Sequence, residues 1–380
     1  MEYRNLGKTG MCASVIGVGA EHLDGKPYPI IEETIHTALE LGINIFDVFM
    51  PGEKIRRHIG KTFGKKRKDV IIQGHICSVE ICQQYGVSRE LQTCKDYFEK
   101  LLVHLGTDYI DVGMLFFVDT NDDLQQIHAN GIIDYALQLK QHGIIRAIGA
   151  SSHNPVIARK LLDTGIVDVL MFSINPAFDM TPAGTNVLDT VEELAQQKYK
   201  TIDPARANLY TCCEQRGIAV TAMKTLGGGR LLSSEHTPFI KPMTVAQCIH
   251  YVLTRPAVAS AMVGCQTVAH IEEAVKYLTA TKEQRDYMDV ISQYRDELTG
   301  KCVYCNHCQP CSANIDIATV NKYLDIAVID KNNIPASIRQ HYKSLPASGV
   351  DCISCGNCEK KCPFSVPVIE NMRYAAKLLS

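Results

Sequence analysis

Eight of the sixteen cysteines in this chain stand in two C-terminal runs, Cys302, Cys305, Cys308 and Cys311, then Cys352, Cys355, Cys358 and Cys362. The second run reads C-x2-C-x2-C-x3-C with Pro363 behind it, a spacing that holds cubane iron–sulfur clusters. The first reads C-x2-C-x2-C-x2-C, with Ser312 where that proline would stand. Three thiolates at two-residue intervals let one turning segment supply three corners of a cubane. The fourth corner must come from elsewhere, because the local chain has already wrapped its share. Structural zinc also accepts four thiolates, but it needs only paired C-x2-C elements. Each run here carries a third cysteine at the same interval and a fourth soon after. The expectation is two [4Fe-4S] clusters, one-electron groups for which the rest of the chain must account. The remaining cysteines lack ligand spacing and read as small buried hydrophobes. Cys77, just beyond a strand, is the one to watch.

The elements that position this chemistry alternate. From residue 13 to about 280, eight short β-branched runs are expected as strands, near 14–18, 43–46, 70–72, 109–112, 144–148, 167–172, 218–222 and 260–263. Amphipathic segments such as 32–41, 88–105, 205–216 and 267–278 lie between them. Gly42, Gly143, Gly165 and Gly217 stand where helix C-caps belong. Eight strands, each followed by a helical segment, predict a (β/α)8 TIM barrel. The longest loop, about 175–203, follows the sixth strand and is a candidate lid. Near Gly300 the pattern changes to helical stretches at 315–329, 336–342 and 368–379. The expected domains are therefore 1–298, the barrel, and 299–380, a small α-rich cluster-binding domain.

Composition narrows the class. A formal charge of −2 gives no basic field, so neither nucleic acid nor an anionic membrane is an expected partner. No segment is long and apolar enough to span a bilayer. The N-terminus lacks the apolar core of a signal peptide, and abundant cysteines without one point to the reducing cytoplasm.

Several motifs carry a resemblance. Tyr3-Arg4-Asn5-Leu6-Gly7-Lys8-Thr9-Gly10, Gly42-Ile43-Asn44-Ile45-Phe46-Asp47, Leu105-Gly106-Thr107-Asp108-Tyr109-Ile110-Asp111, Ile148-Gly149-Ala150-Ser151-Ser152-His153 and Met223-Lys224-Thr225-Leu226-Gly227-Gly228-Gly229 resemble, in order and spacing, the aldo/keto reductases. The tail looks like that of the family's ferredoxin-containing branch. In bacterial-type two-cluster ferredoxins the fourth cysteine of each run ligates the other cluster. That resemblance implies Cys302, Cys305 and Cys308 with Cys362, and Cys352, Cys355 and Cys358 with Cys311.

The family resemblance also implies a tyrosine that protonates a carbonyl oxygen while NADPH delivers hydride, tuned by a lysine and an aspartate, with a histidine orienting the carbonyl. Asp47 is kept. Val48-Phe49-Met50-Pro51-Gly52 contains no tyrosine, His75 replaces the lysine, and Phe116 replaces the histidine. Met171 and Met223 stand where the family often has a glutamine and an aromatic against the nicotinamide. A phosphate site is expected from Gly227 and Gly228 after the seventh strand and from Gly264, Gln266 and Thr267 after the eighth, with Ser151 and Lys224 as further cofactor contacts. NAD(P)H or a flavin would suit such a site. Asp47 with His75 is the candidate acid–base pair. A core histidine bonded to Asp47 is the plain alternative, and Glu21, His22 and His153 are further pocket candidates.

Three functions follow from these readings. The first is an iron–sulfur oxidoreductase whose barrel binds a small-molecule substrate and a phosphate-bearing cofactor, while the tail relays electrons to or from a partner protein. The second is an NAD(P)H-dependent carbonyl reductase using His75 as rearranged acid, with structural clusters. The third is a non-enzymatic electron-transfer protein.

Overall fold

The structure is a computed structural model of the 380-residue chain, described here at all residues except 83, 182–201, 292–299, 330 and 333. Eight parallel strands close into a barrel: β1 Ile16–Gly19, β2 Ile45–Val48, β3 Ile71–Ile76, β4 Ile110–Leu115, β5 Ile145–Ser152, β6 Val169–Ser173, β7 Ala219–Met223 and β8 Val258–Gly264. Each expected run forms one of them, most shifted a residue or two toward the C-terminus. The four glycines expected as C-caps all take positive φ, between 66 and 85°, a conformation that suits a residue without Cβ. The larger part of the expected lid, 182–201, lies outside the described residues, as does the expected domain boundary at 298/299.

The barrel interior is packed, not hollow. Ile45, Ile71, Val112, Met114, Val169 and Met262 form an inner cluster with Leu6 and Met11. Those last two come from the hairpin Tyr3–Asn5 with Cys12–Ser14, which lies across the N-terminal ends of the strands. A Cβ on Gly7 of that hairpin would stand 2.7 Å from the Gly217 carbonyl oxygen, so the plug sits against backbone. Arg4 Nη1 donates to the carbonyls of Leu253 and Val258 at 2.9 Å each, fastening it to the start of β8.

The tail reveals a repeat that its residue types conceal. Tyr304 and Asn306 flank Cys305 with φ of 58 and 64°, and Ser354 and Gly356 flank Cys355 with φ of 54 and 75°. Three residues beyond the fourth cysteine of each run, Asn314 and Ser365 again have positive φ, 55 and 51°. Helices Ile317–Ile329 and Val368–Leu379 each begin six residues after that cysteine. The two helices pack together, and Asn371 Nδ2 donates to Asn321 Oδ1 at 2.7 Å. Two runs of different sequence thus share one backbone course.

The tail meets the barrel at its base. The Val303 carbonyl accepts from Arg255 Nη2 at 3.1 Å and the Tyr287 hydroxyl at 3.3 Å, and Lys322 stands 3.6 Å from Glu214. Arg255 lies three residues before β8, so the first run sits under the barrel, opposite the strands' C-terminal ends.

Candidate active site

A cavity of about 480 Å³ opens at the C-terminal ends of the strands, where barrels of this kind place their chemistry. Asp47 and His75 face it from β2 and β3. Register pairs Asp47 with Gln73, and side chains two apart share a face, so His75 stands one step nearer the mouth than Gln73. His75 Nε2 and Asp47 Oδ1 are 2.7 Å apart, and both side chains are buried. The other ring nitrogen, Nδ1, is buried and has no hydrogen-bond partner among the described residues. A carboxylate beside one ring nitrogen orients the imidazole, while the other nitrogen is sealed from the cavity as the structure stands.

Aromatic rings wall this dyad. Phe116 meets His75 edge-on at 5.0 Å, and Phe49 stacks on Phe116 at 5.5 Å. Tyr85 contacts Phe49 at 5.0 Å and lines the same cavity. Tyr85 lies outside the family motifs because it comes from the hairpin Ser78–Ile81 with Gln84–Val87, which follows β3. Burial, and then the Glu21 carboxylate, raise its phenol, the opposite of activation by a lysine. The alternating run Gln84–Val87 beyond β3 is the only sequence signal that could have flagged it.

A second histidine–carboxylate pair faces the cavity. His153 Nδ1 lies 2.8 Å from Asp119 Oδ2, while Asp119 Oδ1 accepts from the Ser152 hydroxyl at 2.9 Å and the His153 amide at 2.6 Å. Burial alone would raise the Asp119 carboxyl, but these contacts together hold it below the usual carboxylate range. Ser151 also lines the cavity, and its hydroxyl already accepts from the Phe117 amide at 2.8 Å.

Of the expected phosphate residues, Lys224, Gly228, Gly264 and Gln266 line the cavity, whereas Gly227 and Thr267 do not. Gly228 and Gly229 have φ of 65 and 86° with open space where a Cβ would go. Gly264 differs: a Cβ there would lie 2.6 Å from the His22 ring, so His22 occupies its open face. The Gln266 amide donates to His270 Nδ1 at 3.2 Å. Thr267 caps helix Val268–Val275 without a side-chain capping bond. Met171 and Met223 line the cavity as expected. Cys77 is buried with φ of 76°, and a hydrogen bond from Cys94, with Arg89 nearby, lowers its thiol.

In the tail, burial pushes the Cys305 thiol up to about 11 and Cys308 up to about 12; Cys362 adds to both, and Cys305 and Cys358 add to Cys308. The Gly300 amide donates to the Phe364 carbonyl at 2.6 Å, which brings the lead into the first run beside the end of the second. Cys355 Sγ lies 3.9 Å from the Ser312 hydroxyl, next to Cys311. Among the described residues no three His, Cys, Asp or Glu side chains converge on a single-ion site.

A profile of the aldo/keto reductase family matches residues 15–246. An uncharacterized oxidoreductase, YqkF, of Bacillus subtilis (strain 168) is 27% identical over 300 residues, covering 74% of this chain and 92% of that protein. L-galactose dehydrogenase of Arabidopsis thaliana is 27% identical over 310 residues, covering 73% of this chain and 88% of its own length. Among solved structures, the holo form of aldo-keto reductase AKR11C1 from Bacillus halodurans superposes with a TM-score of 0.58 at 20% identity, covering 78% of this chain and 99% of that one.

Proposed function

This chain belongs to the aldo/keto reductase family and is an oxidoreductase, and from that premise we propose that its mouth interconverts a carbonyl and an alcohol on a small molecule. His75, held by Asp47, would be the proton-transferring group, and the tail would bind two [4Fe-4S] clusters. The observation that carries the mouth chemistry is an imidazole that lines the cavity with its Nε2 2.7 Å from a buried carboxylate. Nδ1 is sealed in this structure, so the ring edge would have to shift toward a bound alcohol to accept its proton as a base; Asp47 would stabilise the imidazolium, and the reverse step would return that proton to the carbonyl oxygen. Phe49 and Phe116 keep water from the pair, and Tyr85 can direct its hydroxyl at the substrate.

The donor set fits a phosphate-bearing cofactor in part. Lys224, the backbone at Gly228 and Gly229, and the first turn of helix Val268–Val275 would hold it, with Ser151 as a further contact from the cavity wall. His22 over Gly264 and the engaged Gln266 amide narrow the remaining cradle. A nicotinamide supplies hydride to such a substrate, and a flavin would use the same phosphate contacts.

For the clusters, eight thiols on a duplicated backbone suit two four-thiolate groups. The 3.9 Å approach of the Ser312 hydroxyl to Cys355 Sγ favours joining Cys311 to the second run, as the crossed ligand sets require, and Cys362 acts electrostatically on Cys305 and Cys308, as Cys358 also does on Cys308. A cubane spreads its ligands around an inorganic core and asks for wider sulfur spacing than a mononuclear ion. The first run lies under the barrel, and the seven residues of β8 alone span about 20 Å between base and mouth. That separation favours a second reading, in which the mouth works by hydride transfer alone and the clusters brace the tail or exchange electrons at the base.

Anaerobic purification with iron, sulfide, flavin and nucleotide analysis tests the assignment. Iron far below about eight atoms per chain would remove the two-cubane reading. A carbonyl panel assayed with NADH and NADPH, wild type against His75→Ala, tests the mouth; unchanged turnover would remove His75 from the chemistry.

A further inference from the structure

A second cavity, of about 550 Å³, lies at the other end of the barrel, between its base and the tail. We propose that it is a binding site for a small anion bearing a carboxylate or phosphate, with Arg255 at its floor. Arg255 is 3% exposed and lines this cavity. Its four hydrogen bonds leave from Nε and Nη2, to the carbonyls of Tyr251 and Val303 and the hydroxyls of Thr254 and Tyr287. Nη1 donates to nothing among the described residues, and it is not sealed from the cavity as the buried partnerless groups are. No carboxylate of the described residues lies within ion-pair distance of the guanidinium. The Tyr251 ring at 4.4 Å and, behind its hydroxyl, the Asp179 carboxylate stabilise the buried guanidinium, and the Nη1 edge stays open to an anion. The edge is suited to one: a guanidinium presents parallel donors that match carboxylate and phosphate oxygens.

The rest of the lining agrees. Arg4, Lys8 and Lys322 add permanent positive charge, against Glu214, which Lys322 approaches at 3.6 Å and whose other oxygen accepts from the Ala257 amide at 2.6 Å. Cavities between two packed units are frequent ligand sites. Tyr304 and Asn306, which flank Cys305, form the opposite wall, so an occupant would sit beside the first cysteine run and far from the mouth.

Isothermal calorimetry on the full protein tests this, with inorganic phosphate and citrate as probes and glycerol as the neutral control. Saturable binding of an anion, absent for glycerol and weakened at least tenfold in Arg255→Gln, is the expected result. Because Arg255→Gln loses buried bonds that the fold uses, the exposed Lys8→Glu variant is measured in parallel and should weaken binding several-fold. Binding that neither variant changes would overturn the proposal, as would no saturable anion binding to folded wild type. If instead Arg255→Gln lowers the midpoint potential of an iron–sulfur signal while no anion binds, the guanidinium serves the cluster and the site is refuted.

Discussion

If Asp47 and His75 act as one unit, their removal should be strongly non-additive, and the geometry sets the size. Replacing His75 by glutamine deletes the proton-transferring nitrogen while keeping a polar side chain of similar length. That should lower carbonyl turnover by about 10²–10⁴-fold, or about 3–5 kcal/mol in transition-state stabilisation. Asp47→Asn keeps the shape and removes the charge that holds Nε2 at 2.7 Å. A hydrogen bond to a charged group contributes about 1.5–3 kcal/mol, so a loss of about 10–100-fold is expected. In the double variant the aspartate has no imidazole left to orient, and the double should be no slower than His75→Gln. The coupling energy then equals the whole Asp47→Asn effect. Steady-state kcat/KM for the four proteins, with circular dichroism to verify folding, completes the cycle. Two independent losses that add would refute the idea that Asp47 works through His75.

Other expectations test the tail and the fold. Serine at both Cys302 and Cys362 should cost no more iron than serine at Cys362 alone, leaving about four atoms per chain, whereas Cys352 with Cys362 should leave almost none; uncrossed ligation would reverse that pattern in iron assays. His250 is lowered to about 4, first by burial and then by Arg285, Arg255 and Arg4. Between that value and an unfolded value of about 6.5 the unfolded chain binds the extra proton. This share of stability is therefore complete above pH 6.5 and falls as pH drops toward 4, by about 2 kcal/mol between pH 7.5 and 5; urea unfolding of His250→Gln should lack it. Gly60 lets helix Glu53–Phe63 meet helix Leu91–Leu105 at the backbone, since a Cβ would lie 2.2 Å from the Leu105 carbonyl oxygen. Gly60→Ala should destabilise by about 2 kcal/mol, read as a lower Tm.

Local physics made much of the barrel legible. Its strands are buried on both faces, so β-branched runs such as Val70-Ile71-Ile72 stand out against amphipathic helices, and glycines mark the turns because left-handed backbone excludes most side chains. Asp47 and His75 could be paired from sequence because they end neighbouring strands of a fold with a fixed order. Tyr85 could not, since a hairpin after β3 brings it to the mouth from outside the motif. Gly264 read as a phosphate cradle, yet the cross-chain approach of His22, more than two hundred residues earlier, fills its open face.

The cysteine runs divide along the same line. Spacing alone carried the four-thiolate reading, because three thiolates at two-residue intervals can wrap one centre through local turns. Spacing also hid the duplication, since Tyr304 and Ser354 differ in everything except the left-handed φ that the turn imposes. What no spacing could specify is where this tail docks. Packing of Val303 against Arg255 and Tyr287 sets the first run under the barrel, at the opposite end from the mouth and beside the basic cavity at the base.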